Sequence, residues 1–325
     1  MDQPNVVIVL CDTLRRDVLD VYGGPVSTKP LIEALGGKVV TYLGYSNSFW
    51  TIPSHFSLFT GLPVGKHGVH EAPGRSAGEA VMELGRRYGG PTLAWELRKR
   101  GYETVGISTN VPNVSHASGL DRGFRQFVPY DFNYRLQLLR GGLLDLAERQ
   151  ELSEANARYR GNLLRAFIGE ARRRGLGWAL GLAGAYVRKN VVEPLVSDYI
   201  TDKGAAVAIS ILRFLRLTEP FFIFVNLMEA HEPYYYNSEF DQTRISCRRC
   251  LDREFRGYLR SARVCVRAAA ELARLLRQKN TLQRTLFIFT SDHGQEFVEH
   301  GAIGHNSGHL YEENIGIPII VKPPD

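Results

Sequence analysis

"VVIVLCDT", residues 6–13, decides the fold. Five apolar, mostly β-branched residues run without the alternation of a half-exposed strand, then stop at Cys11, Asp12 and Thr13. A strand of that kind is covered on both faces, as in a parallel sheet flanked by helices. Runs of similar character recur at 39–45 (VVTYLGY), 103–108 (ETVGIS), 221–227 (FFIFVNL), 285–290 (TLFIFT) and 317–321 (IPIIV). Helical patterns lie between them at 53–60, 91–100 and 256–278. This alternation predicts an α/β chain folded as a three-layer α/β/α sandwich with a mostly parallel central sheet.

Residues 131–215 interrupt the rhythm. They are helix-prone, rich in Arg and without strand signals, and predict a helical insertion in one catalytic domain spanning 1–325. A helical cap beside the site is the first reading of this segment. Its basic, amphipathic character could alternatively serve a membrane surface or a partner.

The whole chain of 325 residues is 44% hydrophobic and 23% charged, ordinary values for a globular protein with a sizeable core. A net charge of +6 favours anionic substrates or surfaces. Without any motif that reads bases, no nucleic-acid partner is expected. The opening MDQPNVVIVL has no basic segment or cleavage site, and no stretch reaches the ~18 apolar residues of a membrane span. A cytoplasmic location is the resulting expectation. Four cysteines (Cys11, Cys247, Cys250, Cys265), with one C-x-x-C and no second ligand pair nearby, predict free thiols, with a local disulfide or partial metal site at the C-x-x-C as the alternative.

In an open α/β sheet, ligands bind where the strands reach their carboxyl ends. The run 6–10 leads to Asp12, the run 285–290 to Asp292 and His293, and the run 39–45 to Thr51. Two carboxylates, an imidazole and a hydroxyl make a plausible set for a divalent cation. Four of the 9 histidines fall close together, at 293, 300, 305 and 309, and His231 follows the run 221–227. Such a concentration fits a site that holds an anion and moves protons. Within SFWTIPSHFSLFTG, residues 48–61, Thr51 reads locally as an N-cap, ahead of Pro53 and an apolar run closing on Gly61. The same position would also place its hydroxyl beside an incoming anion.

These residues carry a family resemblance. VVIVLCDTLRRDVLDVYGG, WTIPSHFSLFTGLPVGKHGV, TLAWELRKRGYETVGISTN, PFFIFVNLMEAHEPY and TLFIFTSDHGQEFVEHGAIGHNSGHLYEENIGIPIIV resemble, in order, the sulfatase-like branch of the alkaline phosphatase superfamily. Only 131–215 is unmatched. The resemblance implies an alkaline phosphatase-like fold in which Asp12, Asp292 and His293 bind metal. Thr51 stands where sulfatases place the Cys or Ser that becomes formylglycine, and the C-x-P-S-R motif reads Thr51-Ile52-Pro53-Ser54-His55 here. Thr51 cannot be converted by that route. His55 replaces the motif's Arg, and Thr13 replaces the second Asp of the Asp-Asp pair found in many sulfatases. A Thr nucleophile is familiar from phosphodiesterases and phosphoethanolamine transferases of the superfamily. The latter place a phosphate-holding histidine thirteen positions after the metal Asp, where this chain has His305. Two-metal members add a D-x-x-x-H near the run 221–227; this chain has Glu229 and His231 but no Asp there, which implies one metal. The chain stops at VKPPD, just after a strand, where relatives continue into a smaller C-terminal part.

The expectation is therefore a metal-dependent hydrolase or transferase of anionic esters, with one divalent ion (zinc or manganese ahead of calcium). Asp12, Thr51, Asp292 and His293 surround the ion, and Thr51 is the nucleophile. His231, His305 and His309 hold substrate oxygens or move protons, and Asn110 is a further substrate contact. The missing formylglycine precursor favours phosphate mono- or diesters. The alternatives are a sulfuric ester hydrolase with an unmodified Thr, and a non-catalytic anion- or membrane-binding relative.

Overall fold

The computed structural model describes residues 3–70, 77–111, 113–130, 202–235, 248–305 and 308–325. The chain divides into two compact units, Met1–Asp131 with Ile200–Asp325, and Phe132–Tyr199. Nearly all of the predicted insertion, and with it the cap and membrane-surface readings, lies outside the described residues. Its last part, however, belongs to the first unit.

That unit is built on β1 (Asn5–Cys11), β2 (Val40–Tyr45), β3 (Glu103–Ser108), β4 (Gln126–Pro129), β5 (Phe221–Leu227), β6 (Thr285–Thr290), β7 (Glu296–Phe297), β8 (Ile303–Gly304) and β9 (Gly316–Lys322). The seven-stranded sheet has the order β2-β9-β6-β1-β5-β3-β4, and β7 pairs with β8 separately. Only β9 runs against the other strands of the large sheet. All six apolar runs became strands, whereas the short β4, at the edge of the sheet beside β3, carries no such signal. Around the sheet lie α1 (Lys29–Leu35), α2 (Thr51–Thr60), α3 (Val64–His67), α4 (Ala77–Arg87), α5 (Leu93–Lys99), α6 (Ala205–Phe214), α7 (Arg248–Gln278) and α8 (Glu312–Ile315).

In β1 and β5 the continuous apolar runs are explained by two covered faces, whereas β2 at the edge of the sheet is largely exposed. Ile8, Leu10, Phe222 and Phe224 pack with Ile52, Phe56 and Phe59 of α2. The intervening Val7 and Ile223 face Leu212 of α6 and Leu272, Leu275 and Leu276 of α7. Side chains of a strand alternate between faces, so every residue of β1 and β5 needs to be apolar until the strands end. β5 is buried along its whole length.

Register then sets the site. Leu10 lies opposite both Asn226 and Thr290, and Ser108 opposite Asn226. Two residues beyond those levels come Asp12, Asp292 and Asn110. Three loops therefore start at one height on the carboxyl edge.

Two expectations are corrected. Thr51 is the first residue of α2 and not its cap; Trp50 holds the cap position and no side chain caps this end. The Thr51 hydroxyl is directed elsewhere, as described below. Cys11 and Cys265 are buried free thiols, but Cys250 is disulfide-bonded. A disulfide at the C-x-x-C-bearing end of α7 needs no second ligand pair, the feature on which the expectation of free thiols rested; Cys247 lies outside the described residues.

Candidate active site

The carboxylates come first, because each is held on one oxygen and left open on the other. Asn110 Nδ2 donates to Asp12 Oδ2 at 2.8 Å. The backbone N–H groups of Thr13 and His293 donate to Asp292 Oδ1 at 3.3 and 2.9 Å. Asp12 Oδ1 and Asp292 Oδ2 are buried and have no hydrogen-bond partner among the described residues. Such orphaned charge is costly unless a cation or proton meets it. Burial, and then the neighbouring Asp292, raise the Asp12 carboxyl above its ordinary range.

His293 supplies the third ligand atom. Its Nδ1 lies 2.9 Å from Gly294 O and so carries the proton, which leaves the lone pair on Nε2. Nε2 is 3.7 Å from Asp12 Oδ1 and 3.5 Å from Asp292 Oδ2. Gly294 is required by close approach: a Cβ there would lie 2.0 Å from Glu313 O. Asp12, Asp292 and His293, all buried, offer ligand atoms within 4.8 Å of one another. Two hard oxygens and one imidazole nitrogen suit zinc or manganese. The donor set, with its two unsatisfied oxygens, fits a divalent ion.

Thr51 Oγ1 lies 3.3 Å from His293 Nε2, which brings the hydroxyl to this same cluster. The uncapped first turn of α2 leaves backbone N–H groups and the positive end of the helix beside it. His55, one turn on, stands where the motif has Arg. Its Nδ1 donates to Thr51 O at 2.8 Å and its Nε2 faces Asn226 Nδ2 at 3.2 Å. Burial pushes it down to about 4, so the ring is neutral and braces the start of α2.

The other candidate histidines separate into two groups. His231 and His305 meet with ring centroids 5.1 Å apart, and His305 lies 4.7 Å from the His293 ring. His231 Nδ1 donates to Glu232 O at 2.8 Å. Burial pulls the His231 pKa down, but Glu232 and Asp12 outweigh it and the net shift is upward. His305 is driven well below its ordinary value by burial, then by His293 and His231. Its Nδ1 faces Gln295 Oε1 at 3.2 Å, an acceptor because Gln295 Nε2 donates to Tyr234 Oη. His309 instead pairs with Glu296 at 3.3 Å and edges against Tyr311. His231, Glu232 and His305 also meet the distance test for a cation, with a single carboxylate.

Thr13, which stands in place of the second Asp, and residues not singled out from sequence complete the surroundings. Thr13 is buried in left-handed backbone, φ 62°, with its hydroxyl unpartnered among the described residues. A β-branched residue held there is a genuine outlier of the kind that gathers at functional sites. Asn226, polar at the end of an apolar strand, was a readable signal. Lys203 was not, since it sits within the basic stretch assigned to the insertion. Arg15, the nearby guanidinium, is engaged by Asp17 at 2.6 Å and Glu299 at 2.5 Å, so it is not available to an anion.

A family model described as Sulfatase covers residues 4–325. The chain belongs to the sulfatase family. It is 23% identical to an N-acetylglucosamine-6-sulfatase of Capra hircus over 99% of this chain, spanning 56% of that relative's length. Among solved structures, a zinc complex of the C-terminal periplasmic domain of EcEptC from Escherichia coli is similar with a TM-score of 0.59 and 12% identity. That match covers 100% of this chain and 74% of the other. A phosphonate monoester hydrolase of Agrobacterium radiobacter is similar with a TM-score of 0.56 and 18% identity, covering 99% of this chain and 68% of that one. At these identities the structural likenesses establish the fold.

Proposed function

We propose that this sulfatase-family chain is a metal-dependent hydrolase or transferase of phosphate mono- or diesters that uses Thr51 as nucleophile. The observation that carries the reading is the approach of Thr51 Oγ1 to His293 Nε2, beside the two unsatisfied carboxylate oxygens of Asp12 and Asp292. A divalent ion held by Asp12, Asp292 and His293 would lower the pKa of an adjacent hydroxyl and offset charge on the ester. The Thr51 oxygen, releasing its proton to solvent, bonds to phosphorus as the bond to the leaving-group oxygen breaks, which gives a phosphorylated or phosphodiester-linked Thr51. Backbone N–H groups at the start of α2 face the transferred group. His231, whose proton persists to higher pH, donates it to the leaving oxygen. His305, held neutral with its Nε2 lone pair open, accepts a proton from the water or alcohol that resolves the adduct. Asn110 holds Asp12 in place.

Phosphorus is preferred to sulfur because a formylglycine hydrate expels sulfate through its second hydroxyl, and Thr51 has one oxygen. A sulfated Thr51 would have to be displaced directly. The test is a panel of aryl phosphodiester, phosphomonoester and sulfate with one leaving group and one metal, followed by mass spectrometry of the quenched reaction. Faster turnover of a phosphate ester, and added phosphorus on the Thr51 peptide, are expected. A panel led by the aryl sulfate, without a phosphorus adduct, would make the chain a sulfuric ester hydrolase; binding without turnover of any ester would make it a non-catalytic relative.

A further inference from the structure

Lys203 is buried in the first unit, 5% exposed, close behind the site and used by none of the chemistry above. Burying an ammonium is costly unless strong acceptors surround it. The acceptors here are the backbone carbonyls of one turn. Nζ donates to Glu229 O at 3.0 Å and, more closely still, to His231 O. The ammonium also lies over the Tyr234 ring, with Nζ 5.2 Å from its centre.

The same contact is made in the other direction. Glu229 Oε1 accepts from the backbone N–H of Lys203 at 2.9 Å and of Ala205 at 2.8 Å, at the start of α6. The two segments are thus joined side chain to backbone twice. Gly204 permits the approach, since its φ is +135° and a Cβ there would meet Thr109 Cγ2 at 2.5 Å. Thr109 in turn fixes the base of the 228–231 turn: its Oγ1 accepts from Met228 N at 2.8 Å. The base is therefore tied to the end of β3, and the apex, where His231 leaves the turn, is tied to Lys203. Burial lowers the Lys203 ammonium to about 8, with Glu229 and Glu232 pulling the other way, so it stays protonated at neutral pH.

We infer that Lys203 is a positioning residue, which clamps the carbonyls of Glu229 and His231 and so fixes where the His231 imidazole meets the leaving group of a bound ester. This rests on the reading of His231 as proton donor. Loss of the clamp would let the apex move while the metal ligands, which hang from β1 and β6, stay in place. A lysine that merely satisfied two carbonyls would, when replaced, lower the amount of folded protein and every activity alike.

The experiment compares two aryl phosphodiesters on the metal-loaded full chain, one releasing para-nitrophenol and the other unsubstituted phenol. Para-nitrophenol departs with little need of a proton and phenol needs one, so the ratio of their kcat/KM values reads proton donation. The ratio is independent of how much protein is folded, because unfolded chain contributes to neither. Lys203→Met is expected to raise the ratio about 10-fold, mainly through kcat on the phenyl ester, with metal content unchanged. If that variant is insoluble, Lys203→Gln, which leaves a donor for one carbonyl, gives the same reading. His231→Gln is the control. An unchanged ratio in the Lys203 variants, with a raised ratio in His231→Gln, overturns the positioning role. An unchanged ratio in His231→Gln itself overturns the proton-donor reading, and the inference with it.

Discussion

The hydroxyl of Thr51 lies 3.3 Å from Nε2 of His293, across 242 residues of chain. It is buried and caps nothing, so replacing it removes little that supports the helix. Thr51→Ala should abolish turnover at a stability cost of about 1 kcal/mol, the scale of one buried methyl and a lost weak hydrogen bond. Thr51→Ser keeps the oxygen and should retain measurable activity. Steady-state rates with urea unfolding check both. Wild-type-like turnover by the Ala variant would return Thr51 to a structural role.

Metal content follows from the two open carboxylate oxygens. The purified chain should hold about one tightly bound divalent ion, as one cluster of two carboxylates and an imidazole predicts. Asp292→Asn should lose most of it, because the amide removes the charge and can turn a donor toward the ion. Elemental analysis decides the matter. Metal-free protein with full activity would end the proposal, and a second equivalent would point to His231, Glu232 and His305.

Much of this arrangement was legible in sequence, for a physical reason. A strand covered on both faces must be apolar throughout, so the first polar residues after VVIVL and TLFIFT mark the strand ends where ligands collect. Register could not be read, yet it is register that sets Asp12, Asp292 and Asn110 at one level. The role of Thr51 was misread in one respect. A Thr before Pro looks the same whether its oxygen caps the helix or reaches across to another strand's loop. From sequence, His55 was only a replacement for the motif's Arg, and its partners, Thr51 O and Asn226, show it bracing the helix start. Lys203 had no signal at all, because the carbonyls that hold it are brought near by tertiary packing.

Asp12 offers a test that needs no substrate. Its carboxyl is raised by burial and by Asp292, so the folded metal-free protein holds the proton more tightly than the unfolded chain does. Stability from this group is therefore full in acid and falls as pH rises from the ordinary carboxylate range through the raised folded value. Asn at this position carries no charge to desolvate. With chelator present, Asp12→Asn should melt at a higher temperature than wild type at neutral pH, and the two curves should converge as pH falls. Calorimetry across pH checks this. A variant that is less stable at neutral pH would show that the Asp12 charge is already compensated within the protein.

The two histidines nearest the cluster should differ in what they contribute to a pH profile. In His231, Glu232 and Asp12 together outweigh burial, so its acid form survives to higher pH than that of an ordinary histidine. A donor of this kind is fully protonated below its folded pKa and is lost as pH rises through it. The kcat of the metal-loaded enzyme should therefore fall on the alkaline side, on an ester whose leaving group needs a proton. His231→Gln should lower kcat by roughly 100-fold and remove that alkaline limb, leaving a flat, low profile. His305 is held well below its ordinary value by burial and by the two histidines beside it. Losing it should lower the rate without moving the alkaline limb, because no proton on His305 is involved there. The profiles of the two Gln variants, taken at saturating substrate, separate these roles. An alkaline limb that persists in His231→Gln and disappears in His305→Gln would exchange the assignments of donor and acceptor.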